Sequence, residues 1–310
     1  TGYIVPTFLR LAEVLERPDL RERARRMLDW FVDIQLRGGG FQGGKIDSQP
    51  VVPVTFNTGQ ILLGLAAGVQ EFDAYHDALH GAARFLRDSL DTDGCWRSHP
   101  TPFARAGEKA YETHVAWGLF EADRVARGEG YGEAGLRQVH WALTKQEENG
   151  WVRDCCLDQP EAPLTHTLGY YLRGVLEAYK WSSEPSLLDA SLSTAEGLCG
   201  AQRVNGALPG RLTRNWTPAA NWVCLTGNVQ VAACWLELAD LTGRDDLRTA
   251  AQAANRFVRQ TVRADGPRGI RGGVKGAHPV DGNYGRYEYL NWAAKFTIDA
   301  SLLEMRAGSA

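Results

Sequence analysis

One loop recurs along the chain and constrains the fold more than any other feature. It pairs a glutamine with glycines and a bulky apolar residue: Gln35 with Phe41, Gln146 with Trp151 and Gln202 with Leu208. Trp96 stands in a copy that lacks the glutamine. Phe41, Trp96, Trp151, Leu208 and Ile270 follow one another at intervals of about 55 to 62 residues, and self-similarity at a fixed period marks a repeat architecture. The clearest copy runs through residues 205–242. A glycine loop at 205–210 continues past Arg211, Arg214 and Trp216, and an apolar helix is expected from near Ala219. A tight link at Thr242 and Gly243 leads to a polar, basic helix over 245–262.

The rest of the chain lies over the same plan. Apolar helices are expected over 1–15, 56–71, 111–126, 164–181, 219 onward and 287–305, from apolar residues at helical spacing. Amphipathic helices are expected over 19–36, 73–90, 132–146, 185–202 and 245–262, each with one dry stripe. No strand is expected. Six helices apolar on nearly all sides need other helices around them, and five with one dry face suit an outer ring. Hairpins joined by tight turns pack antiparallel. The predicted fold is therefore all-α, an (α/α)6 toroid of six inner and five outer helices. It forms one domain over 1–310, with its missing outer helix upstream of Thr1. An open solenoid would need polar capping repeats, and the last helix, with Trp292, Phe296, Ile298 and Leu302, is too apolar for a cap.

The connections are unequal. Inner-to-outer turns are short, whereas outer-to-inner links run about 15 to 20 residues, and long ordered loops are usually functional. They lead to inner-helix N-termini, which carry free backbone donors and the positive end of the helix dipole. Basic residues concentrate in these links: about 11, including Lys109, Arg211, Arg214 and Arg286, against about 7 acids. With a net charge of −3, the loop end is near +4 and the remainder near −7, a field that would draw in an anion. Tyr111, Trp216, Trp222, Tyr284 and Tyr287 lie in the same region and offer apolar faces with polar tips, as a sugar ring requires. Trp96 and Trp151 hold a repeated position and are expected to plug the junctions between units.

Polar residues cluster at the inner-helix starts: Asn57 and Thr58; Tyr111, Glu112, Thr113 and His114; Thr165, His166 and Thr167; Asn221 and Asn228; Arg286, Tyr287, Glu288 and Asn291. The threonines fit helix capping. Capping does not call for histidine, so His114 and His166 invite a chemical role. Glycoside hydrolysis needs two carboxylates, for which Glu112 and Glu288 are candidates, with Asp47, Asp154 and Asp281 as loop alternatives. Removal of a proton beside a carboxylate needs a base and a group that stabilises the enolate-like charge. His114, His166, Tyr111, Tyr287, Arg286 and Asn228 supply those types. The expected catalytic residues are Glu112, His114, His166, Tyr287 and Glu288. The expected substrate contacts are Asn57, Tyr111, Arg211, Arg214, Trp216, Trp222, Asn228, Tyr284, Arg286 and Asn291.

The net charge and the lack of a Lys/Arg block argue against nucleic acid as a partner. No apolar run approaches the roughly 20 residues that span a bilayer. Neither a signal peptide nor a nucleophile-elbow, phosphate-loop or H-E-x-x-H pattern is present. A cytoplasmic location is expected. The chain starts inside a helical pattern, which points to a larger parent chain or a biosynthetic complex. The six cysteines, with Cys155 next to Cys156 and no C-x-x-C pair, read as reduced, buried thiols. Asp154, Cys155, Cys156, Asp158, His166 and Cys224 have ligand types for zinc, but no metal and no cofactor are expected.

The glutamine–glycine–aromatic loop resembles the repeat of squalene/hopene cyclases and protein prenyltransferase β-subunits, over nearly the whole chain. The cyclases' D-x-D-D acid motif has no counterpart, Asp91-Thr92-Asp93-Gly94 being the nearest stretch, and the prenyltransferases' zinc ligands are not recognisable. The stretches 56–60 and 291–296 look like helix starts in short single-toroid members that accompany bacterial exopolysaccharide biosynthesis. That resemblance implies a glycan context. The expected function is a carbohydrate-active enzyme that hydrolyses, eliminates or epimerises an anionic oligo- or polysaccharide. The alternatives are a terpenoid cyclase or prenyltransferase-like enzyme and a non-catalytic glycan-binding or scaffold module.

Overall fold

The computed structural model describes residues 2–47 and 49–307, so Thr1, where the first helix was expected to begin, lies outside them. Among the described residues there are eleven α-helices: α1 Ile4–Val14, α2 Pro18–Ile34, α3 Thr55–Phe72, α4 His76–Asp88, α5 Thr113–Val125, α6 Tyr131–Leu143, α7 Thr165–Ser182, α8 Pro185–Gly200, α9 Leu225–Thr242, α10 Asp245–Thr261 and α11 Asn291–Ala307. A 3₁₀ turn, Ala110–Glu112, precedes α5. Odd-numbered helices are the expected apolar ones and even-numbered helices the amphipathic ones. In α9 nearly every residue from Leu225 to Leu236 is buried, whereas α10 buries Leu247, Ala250, Ala251, Ala254 and Val258 along one stripe. No helix among the described residues is long and apolar enough to cross a membrane.

The chain divides into two compact units. One comprises the chain to Lys145 together with Glu177–Glu184, and the other Gln146–Leu176 together with Pro185 onward. In the first, α1–α2, α3–α4 and α5–α6 form hairpins. A Cβ on Gly59 would lie 2.6 Å from Val115 Cγ1, and one on Gly118 would lie 2.7 Å from the Gly59 carbonyl, so these glycines let α3 and α5 approach closely. In the second unit, α9 packs against α10 and α11. The turns from odd to even helices are short and several end on left-handed residues, such as Asp73 (φ 47°) and Gly243 (φ 73°).

The repeated loop has a physical explanation. Gln35 Nε2 donates to the carbonyls of Gly39 and Ala78, and Gln202 Nε2 to those of Gly206 and Ala250. Gln146 Nε2 donates to Ala190 O and Thr194 Oγ1. Gln35 thus ties the end of α2 and its loop to α4, Gln202 ties the end of α8 and its loop to α10, and Gln146 holds its loop to α8. The glycine is required because a Cβ on Gly206 (φ 88°) would lie 2.2 Å from Ala253 O, and Gly39, Gly94 and Gly150 face the same obstruction. The apolar residue is buried in every copy: Phe41, Trp96, Trp151 and Leu208. In the fifth copy that position belongs to Val274, not Ile270. Leu290 N–H donates to Val274 O just before α11, as Val54 N–H donates to Phe41 O before α3. Val274 is buried and Ile270 only half-buried.

Two further expectations fail. The apolar helix expected from Ala219 begins at Leu225, and that expected from Tyr287 begins at Asn291. The residues ahead of each helix pair as extended arms. Val223–Cys224 (β1) and Ala277–His278 (β2) form a two-stranded antiparallel sheet with Val223 opposite His278. Pro209 bridges to Val223, and Lys275 to Tyr289. These bonds engage the backbone groups that a longer helix would have used.

Candidate functional site

The second unit gathers the most complete set of chemically able side chains, around the start of α7. Thr165 N–H donates to Gly210 O and its hydroxyl to Pro209 O, which fixes the glycine loop against the helix. Thr167 Oγ1 donates to Leu164 O and Cys155 O, a bracing role like that of Thr58 at α3. His166 lies between them, 6% exposed. Gly227 on α9 permits the approach, because a Cβ there would lie 2.5 Å from His166 N.

His166 Nδ1 is 2.5 Å from Gln230 Oε1 on α9. A carbonyl oxygen only accepts, so Nδ1 carries the proton and Nε2 keeps a lone pair. Nε2 has no hydrogen bond among the described residues and is not sealed from solvent. Burial pushes the imidazole down to about 4, against the raising effect of the Gln230 bond, so the ring is neutral near pH 7. Tyr170 and Tyr284 flank it, with ring centroids 4.3 and 5.2 Å away. Tyr284 OH accepts from Trp292 Nε1 at 2.9 Å, and Tyr170 meets Phe296 edge-on. Lys295 Nζ lies 4.1 Å from the Phe296 ring centroid and 2.6 Å from Asp299 Oδ2. One turn-pair further along α7 and α9, Arg173 Nη1 is 2.6 Å from Glu237 Oε1. The result is a neutral base with aromatic neighbours and paired charges close by.

Of the residues in this cluster, sequence reasoning named His166 and Tyr284 as candidates and did not name Tyr170, Gln230, Trp292, Lys295 or Asp299. The overlooked signal was a stripe. His166, Tyr170 and Arg173 recur along α7 at steps of four and three, and Gln230 and Glu237 repeat seven apart on α9.

The other expected residues fall elsewhere. Trp222 is buried over Gly210 and packs with Leu164, Cys224 and Ala277. Asn228 Oδ1 accepts Leu208 N–H at 2.7 Å and its Nδ2 donates to Ala254 O, so it braces the loop as Thr58 Oγ1 braces Phe41 N–H. Arg211 is buried, with Nη1 on Ala162 O and Nη2 on both Asp158 oxygens. Arg214 pairs with Glu147, and Trp216 donates to Asn149 O while its ring covers Gly197 on α8. Tyr287 is 64% exposed at φ 61° with the Arg286 guanidinium over its ring, and Glu288 is exposed on the same arm. Asn291 is exposed at the start of α11.

In the first unit, Tyr111 is buried edge-on to Phe56 and His114 edge-on to Trp117, while Asn57 is half-buried beside Gly43. Glu112 is 4% exposed, and its carboxyl takes no hydrogen bond among the described residues. Burial pushes it up to about 8, with Lys109 pulling the other way. All six cysteines are free thiols, five of them buried. Among the described residues no three His, Cys, Asp or Glu side chains converge as a metal site requires.

No protein-family model matches the sequence. No curated protein sequence matches it either. Solved structures do. An unsaturated glucuronyl hydrolase from Bacillus sp. GL1, described as responsible for glycosaminoglycan degradation, is 14% identical with a TM-score of 0.75, covering 99% of this chain and 86% of that one. Cellobiose 2-epimerase from Bacillus thermoamylovorans is 10% identical, TM-score 0.74, over 98% and 88% of the two chains. An α-mannanase from Bacteroides thetaiotaomicron is 14% identical, TM-score 0.70, over 100% and 87%. At such identities the likeness shows the fold: the chain has the all-α, (α/α)6 toroid fold class of these proteins.

Proposed function

We propose that this protein is a carbohydrate-active enzyme that acts on an anionic oligo- or polysaccharide by acid–base chemistry. His166 is the proton acceptor. The observation that carries the reading is the His166–Gln230 bond, which leaves a neutral imidazole with a bare Nε2 among aromatic rings. Such a base can take the proton next to a sugar carbonyl or carboxylate, and return of a proton to the opposite face gives epimerisation. Loss of the group at the neighbouring carbon gives elimination. A negatively charged substrate raises the pKa of the imidazole beside it and so strengthens the base once bound. Tyr170 and Tyr284 offer ring faces for a sugar, and the exposed arm bearing Arg286, Tyr287 and Glu288 supplies outer contacts. The folds of a glucuronyl hydrolase and a cellobiose epimerase support a carbohydrate substrate. The resemblance of the helix starts to exopolysaccharide-associated toroids supports a role in bacterial exopolysaccharide metabolism.

The test is incubation with uronic-acid and neutral glycans in deuterated water, scored for deuterium at carbon, for ultraviolet-absorbing unsaturated ends and for new reducing ends. Deuterium or unsaturation that disappears in His166→Asn supports the assignment. New reducing ends without either, unaffected by His166→Asn, would replace it with hydrolysis at other residues. No product from any glycan, with glycan binding retained, would replace it with a binding module.

A further inference from the structure

The 3₁₀ turn ahead of α5 and the residue before it carry two ionisable side chains that are both nearly buried and form no ion pair with each other. Lys109 is 8% exposed and Glu112 is 4% exposed, three residues apart. The Glu112 N–H donates to Lys109 O at 3.1 Å, so their backbones are joined. Neither side chain forms an ion pair or side-chain hydrogen bond among the described residues. Buried charges are almost always paired or ligand-bound, because desolvation of a lone charge costs several kcal/mol. A nearly buried ammonium beside a carboxyl that does not close to ion-pair distance is therefore completed by an anionic third group.

We propose that Lys109 and Glu112 form a binding site for the carboxylate group of an acidic sugar. One carboxylate oxygen accepts from the Lys109 ammonium and the other from a protonated Glu112 carboxyl. The carboxylate half of this identification stands on the two side chains, and the sugar half rests on the carbohydrate reading above. Glu112 is pushed up to about 8 by burial, so near pH 7 it is a neutral donor and the pair carries one net positive charge. A carboxylate cancels that charge. A neutral sugar does not, and leaves the ammonium unpaired.

The surroundings agree with an anion site. The Cys95 thiol, also acted on by Glu112, Glu108 and Arg97, is pushed up to about 12 by burial and stays uncharged. Arg97 is engaged by Asp91, Asp93 and Glu108, and Lys145 by Glu108, so neither competes for Glu112. Tyr111, between the two charged residues, turns its ring onto Phe56.

The experiment is calorimetric binding of D-glucuronate and D-glucose to the full chain, which needs no turnover and so is independent of His166. The expected result at pH 7 is at least a tenfold preference for glucuronate. Lys109→Met should abolish that preference with its thermal melt unchanged or raised, since an unpaired buried charge is removed. At pH 9 the wild type should lose the preference as Glu112 ionises, while Glu112→Gln, a permanent neutral donor, should retain it. Equal binding of both sugars by wild type, or a glucuronate preference that survives Lys109→Met, would overturn the proposal and leave the His166 assignment standing.

Discussion

Replacing Gln230 with Glu tests the electrostatics of the candidate site most directly. Burial holds His166 at about 4, some 2.5 units below its ordinary value near 6.5. A carboxylate oxygen at the Gln230 Oε1 position, 2.5 Å from Nδ1, would favour the imidazolium. Opposite charges at close range typically move a pKa by about 1–3 units, which places His166 in Gln230→Glu between about 5 and 7. Protonation at pH 6 then rises from about 1% to between roughly 10% and 90%. The assay is long-range ¹H–¹⁵N correlation of histidine-labelled protein from pH 3.5 to 8. The wild type should show a protonated Nδ1 and a bare Nε2 at pH 7. Folding stability gives a second readout. Because the folded-state pKa lies below the unfolded one, the unfolded chain takes up the proton first as pH falls. This contribution is intact above about 6.5 and is lost towards pH 4, by on the order of 3 kcal/mol in the wild type and less in Gln230→Glu. A wild-type His166 that titrates near 6.5, or whose Nε2 carries the proton at pH 7, would refute the reasoning.

Glu112→Gln should remove an alkaline loss of stability: Glu112 reaches about 8 when folded, so its ionisation opposes folding increasingly from about pH 4.5 to 8, by roughly 4–5 kcal/mol at the plateau. Urea melts across that range should diverge between the two proteins, and parallel curves would contradict it. Asn228→Ala leaves the buried Leu208 N–H without its acceptor and should lower stability by about 2–4 kcal/mol, whereas Asn228→Thr, imitating Thr58, should recover part of that loss. Gly206→Ala meets Ala253 O at a left-handed φ and should cost about 3 kcal/mol or more, while Gly200→Ala, with open space at the end of α8, should be neutral or stabilising by up to ~1 kcal/mol. Equal melts for the two glycine variants would remove the explanation given for the repeat.

The repeat was legible because its residues do one job at each junction. Gln35, Gln146 and Gln202 span loop to neighbouring helix, and that task admits few substitutes, so it leaves a visible pattern. The fifth junction broke the pattern. Its loop pairs with the arm before α11 through Val274, and no glutamine marks the place. The extended arms were illegible for a related reason. Two-residue strands such as Val223–Cys224 and Ala277–His278 are too short to show a period of two, and their apolar residues merge with the helix that follows. Tyr287 and Glu288 were misplaced by that merger. His166 stood out because it occupies a helix start where threonine would suffice, but Gln230 is hidden inside a helix that otherwise reads as continuous core.

Counting charges in the long loops proved a poor guide to what those loops do. Arg97 holds Asp91, Asp93 and Glu108 within its own loop, while Arg211 holds Asp158 and Arg214 holds Glu147 on the preceding long loop, so three of the counted cations brace loops. Of these, Arg211 is the one buried, and its fork to a carboxylate and a carbonyl fixes the approach to α7. The exposed pairs are worth about 0–1 kcal/mol each and cancel much of the field that a sum of formal charges implies. What separates an available cation from a bracing one is burial without a partner. By that criterion Lys109, counted in the sequence with the other basic residues, stands apart from the more conspicuous arginines, because it is nearly buried with no ion-pair partner among the described residues.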